Sequence, residues 1–295
     1  MASKTSAGRT AYGAAAIRAA EAFVPEALRL FDDPLILSFL PAASRFAIRQ
    51  RWIREQFLAL FERQAPGIRG ALLSRTCAID DAVNAAIGRG LGAAVILGAG
   101  LDTRPYRLRS LAAANVFELD LPAVQAFKKK RLLAIFGRLP GNVRYIPTDF
   151  STERLDATLT SAGLDRNQPA VFIWEGVTQY LPPAAVDSAL RTIAEWAKGS
   201  ELVFTYVLEE VITHKFRPDR SEAFRKSAGV RPEAWHFGIA PEKLGSFLSE
   251  RGLTLEEDAG AEVHLARYVR PRGRDLAVSE IERIARVSVD RSVRF

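Results

Sequence analysis

The sequence predicts an α/β fold: a doubly wound, Rossmann-like parallel sheet with helices on both faces and an N-terminal helical cap. Three observations support it. Short apolar runs rich in β-branched and aromatic residues recur from Ala94 onward, and helical stretches separate most of them. The first run opens directly into a glycine-bearing turn, Gly98-Ala99-Gly100. Residues before about 90 carry helical patterning only.

The cap reads as three helical stretches, Ala14 to Leu30, Phe46 to Gln64 and Ile68 to Ile87, punctuated by Pro34, Pro41, Pro66 and Gly67. The strands follow as Ala94 to Leu97, Val116 to Leu119, Val143 to Ile146, Ala170 to Trp174 and Leu202 to Val207, with Leu253 to Glu257 and Ile284 to Val289 near the end. Helices are expected at Pro122 to Phe136, Glu153 to Ala162, Ala184 to Trp196 and Pro241 to Arg251. The chain therefore divides into a cap over residues 1–90 and a core over 91–295. A polar, charged stretch starting at Thr213 suggests a lid-like insertion around 211–240.

The chain has 295 residues, 48% of them hydrophobic and 25% charged, a balance that supports a large buried core. No apolar run of about 18 residues or more occurs, and Met1 to Thr10 lack a signal-like apolar region, so a cytoplasmic protein without a membrane partner is expected. The single cysteine, Cys77, precludes an internal disulfide. His214, His236 and His264 are too scattered for a metal-ligand pattern, and no metal is expected. A net charge of +7 suits either nucleic acid or anionic small molecules. The densest basic run, Lys128 to Arg131, spreads its charges around a helix axis at about 100° per residue, which reads as a solvated surface and does not favour nucleic acid.

In doubly wound sheets, ligands bind beyond the carboxyl ends of the strands. Gly98 and Gly100 occupy the first such turn, where a missing Cβ lets a ligand approach the backbone. Thr103 stands where a dinucleotide fingerprint would place its third glycine, which weakens a pyrophosphate-binding reading. Asp120, twenty residues past Gly100, closes the second strand and can accept hydrogen bonds from ribose hydroxyls. Asp149 closes the third, where it can receive an adenine amino group while Phe150 covers the base. Glu175 closes the fourth. Each acid alone could cap the next helix. The series favours a ligand with ribose, an amino-bearing base and positive charge, a description that S-adenosylmethionine fits.

These residues resemble the leucine carboxyl methyltransferase-like, S-adenosylmethionine-dependent methyltransferases, in particular their bacterial branch. The resemblance spans nearly the whole chain and rests on "SRTCAIDD" (Ser74 to Asp81), "LGAGLDTRPYRL" (Leu97 to Leu108), "FELDLPAV" (Phe117 to Val124), "TDF" (Thr148 to Phe150), "WEGVTQYLP" (Trp174 to Pro182) and "RYVRPRGRDLAVSEIER" (Arg267 to Arg283). It implies a class I methyltransferase sheet, S-adenosylmethionine as cofactor, and a cofactor site in which Arg75 holds the carboxylate and Gly98 and Gly100 underlie the amino-acid moiety. Asp120 would hold the ribose, Asp149 and Phe150 the adenine, and Glu175 would lie near the methionine portion. Without the resemblance, Arg75 reads as a surface arginine at a helix end. Family members often carry an arginine after the "DF" pair, where this chain has Ser151-Thr152, so the resemblance alone does not fix carboxylate methylation.

The expected chemistry is O-methylation, at a carboxylate or hydroxyl, of a small molecule of acidic or aromatic character. A carboxylate acceptor, with a pKa near 4, needs no base; a phenol, near 10, does. His236, Glu175 and, less readily, His214 are the base candidates, and Tyr180 is the leading substrate-side residue. Arg104 and Arg107 could attract an acidic substrate or simply pair with surface carboxylates. Trp235-His236-Phe237 could cover an aromatic or acyl group from the lid. The competing readings are a nicotinamide-dependent oxidoreductase, from the same loop and Asp120, and a basic RNA-modifying protein, from the arginine-rich segment Arg267 to Arg294.

Overall fold

The computed structural model describes residues 3–149, 153–213 and 235–290, with side chains from residue 12. Seven strands form one sheet in the order β3-β2-β1-β4-β5-β7-β6. They are β1 (Ala93–Leu97), β2 (Asn115–Asp120), β3 (Val143–Pro147), β4 (Ala170–Trp174), β5 (Glu201–Val207), β6 (Thr254–Ala259) and β7 (Glu282–Ser288). The first five run parallel, whereas β7 pairs antiparallel with both β5 and β6. All seven expected strands are present. The insertion of the last strand between two earlier ones is the element the sequence pattern does not encode.

Alternation along the strands divides the core. Val95, Leu97, Phe172 and Trp174 face α8 (Leu155–Ser161), α9 (Pro183–Ala194) and α10 (Pro241–Ser249), packing on Leu159, Leu190, Ile193, Leu244 and Leu248. Ala94, Ile96, Val171, Ile173 and Val203 face the other way, onto Ile79, Val83 and Ala86 of α5 (Ile68–Gly88). Both β1 and β4 are buried along their whole length, so their side chains serve both layers. This explains why they read as continuous apolar runs and not as alternating ones.

Two of the expected helices differ in extent from the sequence expectation. The first ends at Glu21 (α1, Ser3–Glu21), and Phe23 to Leu30 contributes only a short 3-10 turn at Glu26–Leu28. The stretch expected as one helix at Phe46 to Gln64 is two, α3 (Ala42–Arg49) and α4 (Arg51–Gln64), because Gln50 adopts an extended backbone between them. α1 packs Ala15, Ala16 and Ala19 against α2 (Ile36–Phe39), and its Ile17 against Leu72 and Leu73 of α5. Among the described residues no helix is long and apolar enough to cross a membrane.

The basic run lies in α7 (Pro122–Phe136), and one of its four charges is not at the surface. Lys128 is buried, with Nζ 2.8 Å from Glu118 Oε1 and 3.3 Å from the Ala99 carbonyl. The solvated-surface reading therefore fails at this residue. A carboxylate inside β2, one strand from the glycine turn, draws it inward.

Candidate functional site

The carboxyl ends of β3, β2, β1 and β4 adjoin, so their outgoing loops meet above the sheet edge. Gly98 and Gly100 both have positive φ, 72° and 39°. They serve different ends. A Cβ on Gly98 would collide with the Val177 side chain of the loop after β4, whereas one on Gly100 would find no neighbour nearer than the Gly98 carbonyl oxygen at 3.8 Å. The first glycine lets two loops touch; the second leaves open space at the turn.

Asp120 closes this turn from the side. Its Oδ2 accepts from the Gly100 N–H at 2.6 Å and its Oδ1 from the Leu121 N–H at 2.6 Å. Gly98 and Ala99 N–H groups meanwhile donate to the Leu119 carbonyl at 2.8 and 2.9 Å, locking the turn to the end of β2. Burial pushes the Asp120 carboxyl above its ordinary value, while the two backbone donors favour its anion. Each carboxylate oxygen keeps a further lone pair for an outside donor.

On the β4 side lies a chain of arginines and carboxylates. Glu175 accepts from Arg75 Nε at 2.8 Å and from Arg104 Nη1 at 2.6 Å. Arg75, from the middle of α5, also donates Nη1 to Glu282 of β7 at 2.7 Å. Arg104 opens α6 (Arg104–Arg107), is wholly buried, and also binds Asp80 at 2.7 Å and Asp102 at 2.8 Å. Arg107 grips Asp80 with both terminal nitrogens, at 2.6 and 2.8 Å. Arg18 of α1 reaches Asp33 at 2.6 Å and Thr103 at 3.0 Å, tying the cap to the residue preceding α6.

Burial alone would raise the Glu175 carboxyl, but the charges of Arg104 and Arg75 outweigh it and hold Glu175 well below the usual carboxylate range. Asp102 is lowered in the same way by Arg104, against its own burial. Glu175 is therefore an anion committed to two guanidinium groups, which removes it from the candidate general bases.

The structure settles several positions that the sequence left open. Arg75 is mid-helix and largely buried, not a surface residue at a helix end. Arg104 and Arg107 do pair with carboxylates, but with Asp80, Asp102 and Glu175 inside the protein and not at its surface. Asp149 lies two residues past β3, half-buried, beside Thr148, whose N–H donates to the Asp120 carbonyl at 2.8 Å. Phe150, Ser151, Thr152 and His214 lie outside the described residues, as does most of the expected lid.

Tyr180 ends a 3-10 turn after β4 and packs edge-on against Trp235, with ring centroids 6.3 Å apart. The Gln179 carbonyl accepts the His236 N–H at 2.7 Å, so the backbone of the exposed His236 is tied to the turn that carries Tyr180. Trp235 and Phe237 are not a cover over a ligand. Both are buried, Trp235 with Val207 and Val211 and Phe237 with Phe247. The residues missed from sequence are Asp80, Asp102 and Glu282. Each lies in a stretch quoted above, but nothing in its local pattern tells that its partner comes from a distant segment.

Five arginines of the C-terminal stretch pair with carboxylates within the described residues. Arg270 pairs with Glu262, Arg274 with Glu21, Arg283 with Asp258, and Arg267 and Arg286 with Glu257. These five charges are offset by acids of β6, Glu262 and the end of α1.

This sheet, with its glycine turn and acidic strand ends, defines a class I methyltransferase fold. Two solved structures share it: a putative methyltransferase from Thermobifida fusca (TM-score 0.56, 16% identity, 82% of this chain and 89% of that one) and a protein of the duf574 family from Streptomyces avermitilis (TM-score 0.55, 16% identity, 81% and 91%). Residues 11–194 match the leucine carboxyl methyltransferase family. A Mycobacteroides abscessus protein named as a putative S-adenosyl-L-methionine-dependent methyltransferase is 33% identical over 290 residues, covering 92% of this chain and 91% of its own. A like-named protein from Mycobacterium sp. (strain JLS) is 31% identical over 267 residues, 84% of each chain. The chain belongs to the leucine carboxyl methyltransferase family, and its activity is that of an S-adenosylmethionine-dependent methyltransferase.

Proposed function

We propose that the enzyme methylates an oxygen atom, carboxylate or hydroxyl, of a small molecule of acidic or aromatic character. The observation that carries the cofactor half of this reading is the Asp120 carboxylate fastened to Gly100 beside open space, which suits a vicinal diol at a backbone that must be approached closely. In this reading Asp120 holds the ribose and Asp149 and Phe150 the adenine. Gly98 and Gly100 underlie the amino-acid moiety, whose carboxylate Arg75 binds, with Glu175 close by. Among the described residues two of the three Arg75 nitrogens are engaged by Glu175 and Glu282, which leaves Nη2 for a ligand. When bound, S-adenosylmethionine supplies an electrophilic methyl group on a sulfonium.

What the protein contributes is position. Holding the reacting atoms about 3–3.5 Å apart and in line can lower the barrier by roughly 7–11 kcal/mol. A carboxylate acceptor is already ionised at neutral pH. A hydroxyl acceptor draws on His236, which shares the Gln179 turn with Tyr180. The helices of the cap that precede α5 and the lid-like segment around 211–240 are assigned to the acceptor side, while α5 supplies Arg75 to the cofactor. Isothermal titration with S-adenosylhomocysteine tests the cofactor half, with saturable binding expected. Transfer of a labelled methyl group to a panel of small carboxylic acids and phenols, with base lability of the product separating esters from ethers, tests the acceptor half. No binding by folded protein, or label found only on nitrogen or carbon, overturns the reading.

A further inference from the structure

We propose that Arg104 is a positioning residue for the amino-acid end of the cofactor: it fixes Glu175, and through Glu175 it fixes the Arg75 guanidinium, without itself taking part in methyl transfer. The inference rests on the site reading above and adds a residue to it.

Arg104 is the only side chain in the cluster to meet three carboxylates, those of Asp80 on α5, Asp102 in the glycine turn and Glu175 after β4. It therefore joins the three elements that carry the amino-acid end of the proposed site. Glu175 has one oxygen on Arg104 and the other on Arg75, so its orientation is set by both. Remove Arg104, and Glu175 remains beside Arg75 with half of its anchoring gone. Arg75 then loses the fixed acceptor that aims its Nε, and with it the direction of its remaining donor.

Two further facts separate this role from filling space. The Arg104 side chain is wholly buried, yet its Nη2 has no hydrogen-bond partner among the described residues. A geometry that leaves a buried donor unmet is one that the other contacts impose. Arg104 also sits one residue after Thr103, which Arg18 of the cap touches, so the cap bears on the same segment.

Lysine cannot replace this arrangement, because a single ammonium lacks the planar fork that reaches three carboxylates. The test compares two ligands in the full chain: S-adenosylhomocysteine, which has the amino-acid portion, and 5′-methylthioadenosine, which lacks it. In Arg104→Met and Arg104→Lys, affinity for S-adenosylhomocysteine should fall about tenfold or more, while affinity for 5′-methylthioadenosine stays within about twofold. Asp102→Asn, which withdraws one charged anchor and leaves Arg104 in place, should shift the same ratio by about threefold, and it decides the matter if the Arg104 variants do not fold. Equal losses for both ligands would mean a purely structural role and overturn the proposal, as would no loss for either. If the unaltered protein binds neither ligand, the cofactor-site reading itself fails, a result distinct from both.

Discussion

The Gly100 N–H and the Asp120 Oδ2 lie 2.6 Å apart, joining the turn after β1 to the end of β2. This bond ties the residue proposed to read the ribose to the turn proposed to underlie the amino-acid moiety. Asp120→Asn keeps the shape but halves the acceptors and removes the charge. Hydrogen bonds to charged groups contribute about 1.5–3 kcal/mol, so S-adenosylhomocysteine affinity should drop roughly tenfold to 150-fold with the fold retained, as measured by titration calorimetry and circular dichroism. Undiminished affinity would remove Asp120 from the site.

The two glycines of the turn should separate stability from binding. Gly98→Ala meets both a left-handed backbone and the Val177 side chain, and should destabilise by roughly 2–4 kcal/mol in denaturant unfolding. Val177→Ala should restore part of that loss. Gly100→Ala meets only the backbone penalty, about 1–2 kcal/mol, but fills the space beside the turn, so its main effect should be on cofactor affinity.

Lys128 and Glu118 form an ion pair in which the side chains are 1% and 0% exposed. Lys128→Met leaves a buried carboxylate uncompensated and should cost about 3–5 kcal/mol in unfolding free energy. The double variant Lys128→Met/Glu118→Gln should be more stable than the single one. If Lys128→Met costs under about 1 kcal/mol, the side chain is solvated as a surface lysine would be.

His264 is buried, and desolvation, aided by the Arg267 charge, holds its pKa down to about 4. Its folded value lies below its ordinary 6.5, so the unfolded chain binds the proton first as pH falls. Stability is therefore present above about 6.5 and lost down to about 4, by about 3 kcal/mol in all. His264→Gln should flatten that window in a pH series of unfolding curves. Glu175 and Asp102, both held below their ordinary values by arginines, add a separate loss that begins near pH 4 and continues downward.

Local physics made the strands legible. A run such as Val171-Phe172-Ile173-Trp174 can bury both of its faces only inside a parallel sheet, and the glycine turn and strand-end acids follow from that placement. The break at Gln50 was not legible, because helical periodicity passes through it undisturbed. Nor was the inward turn of Lys128, since its partner Glu118 belongs to a different element and only the folded packing of α7 on β2 brings them together. Arg75 shows the limit most clearly: its two carboxylates lie 100 and 207 residues away, distances over which spacing carries no signal. Trp235 and Phe237 read as ligand-facing because aromatic residues in a polar neighbourhood suggest a cover, whereas the chain uses them to pin its return to the core.

The antiparallel placement of β7 has a consequence for biosynthesis. During translation β5 emerges some eighty residues before the strand that will shield its outer edge, and Arg75 waits far longer, 207 residues, for Glu282. A nascent chain halted short of β7 would present a bare strand edge, prone to self-association, and a half-neutralised guanidinium. Maturation of the arginine cluster is thereby coupled to completion of the polypeptide, so a truncated product is expected to aggregate before it can act as a partly working enzyme.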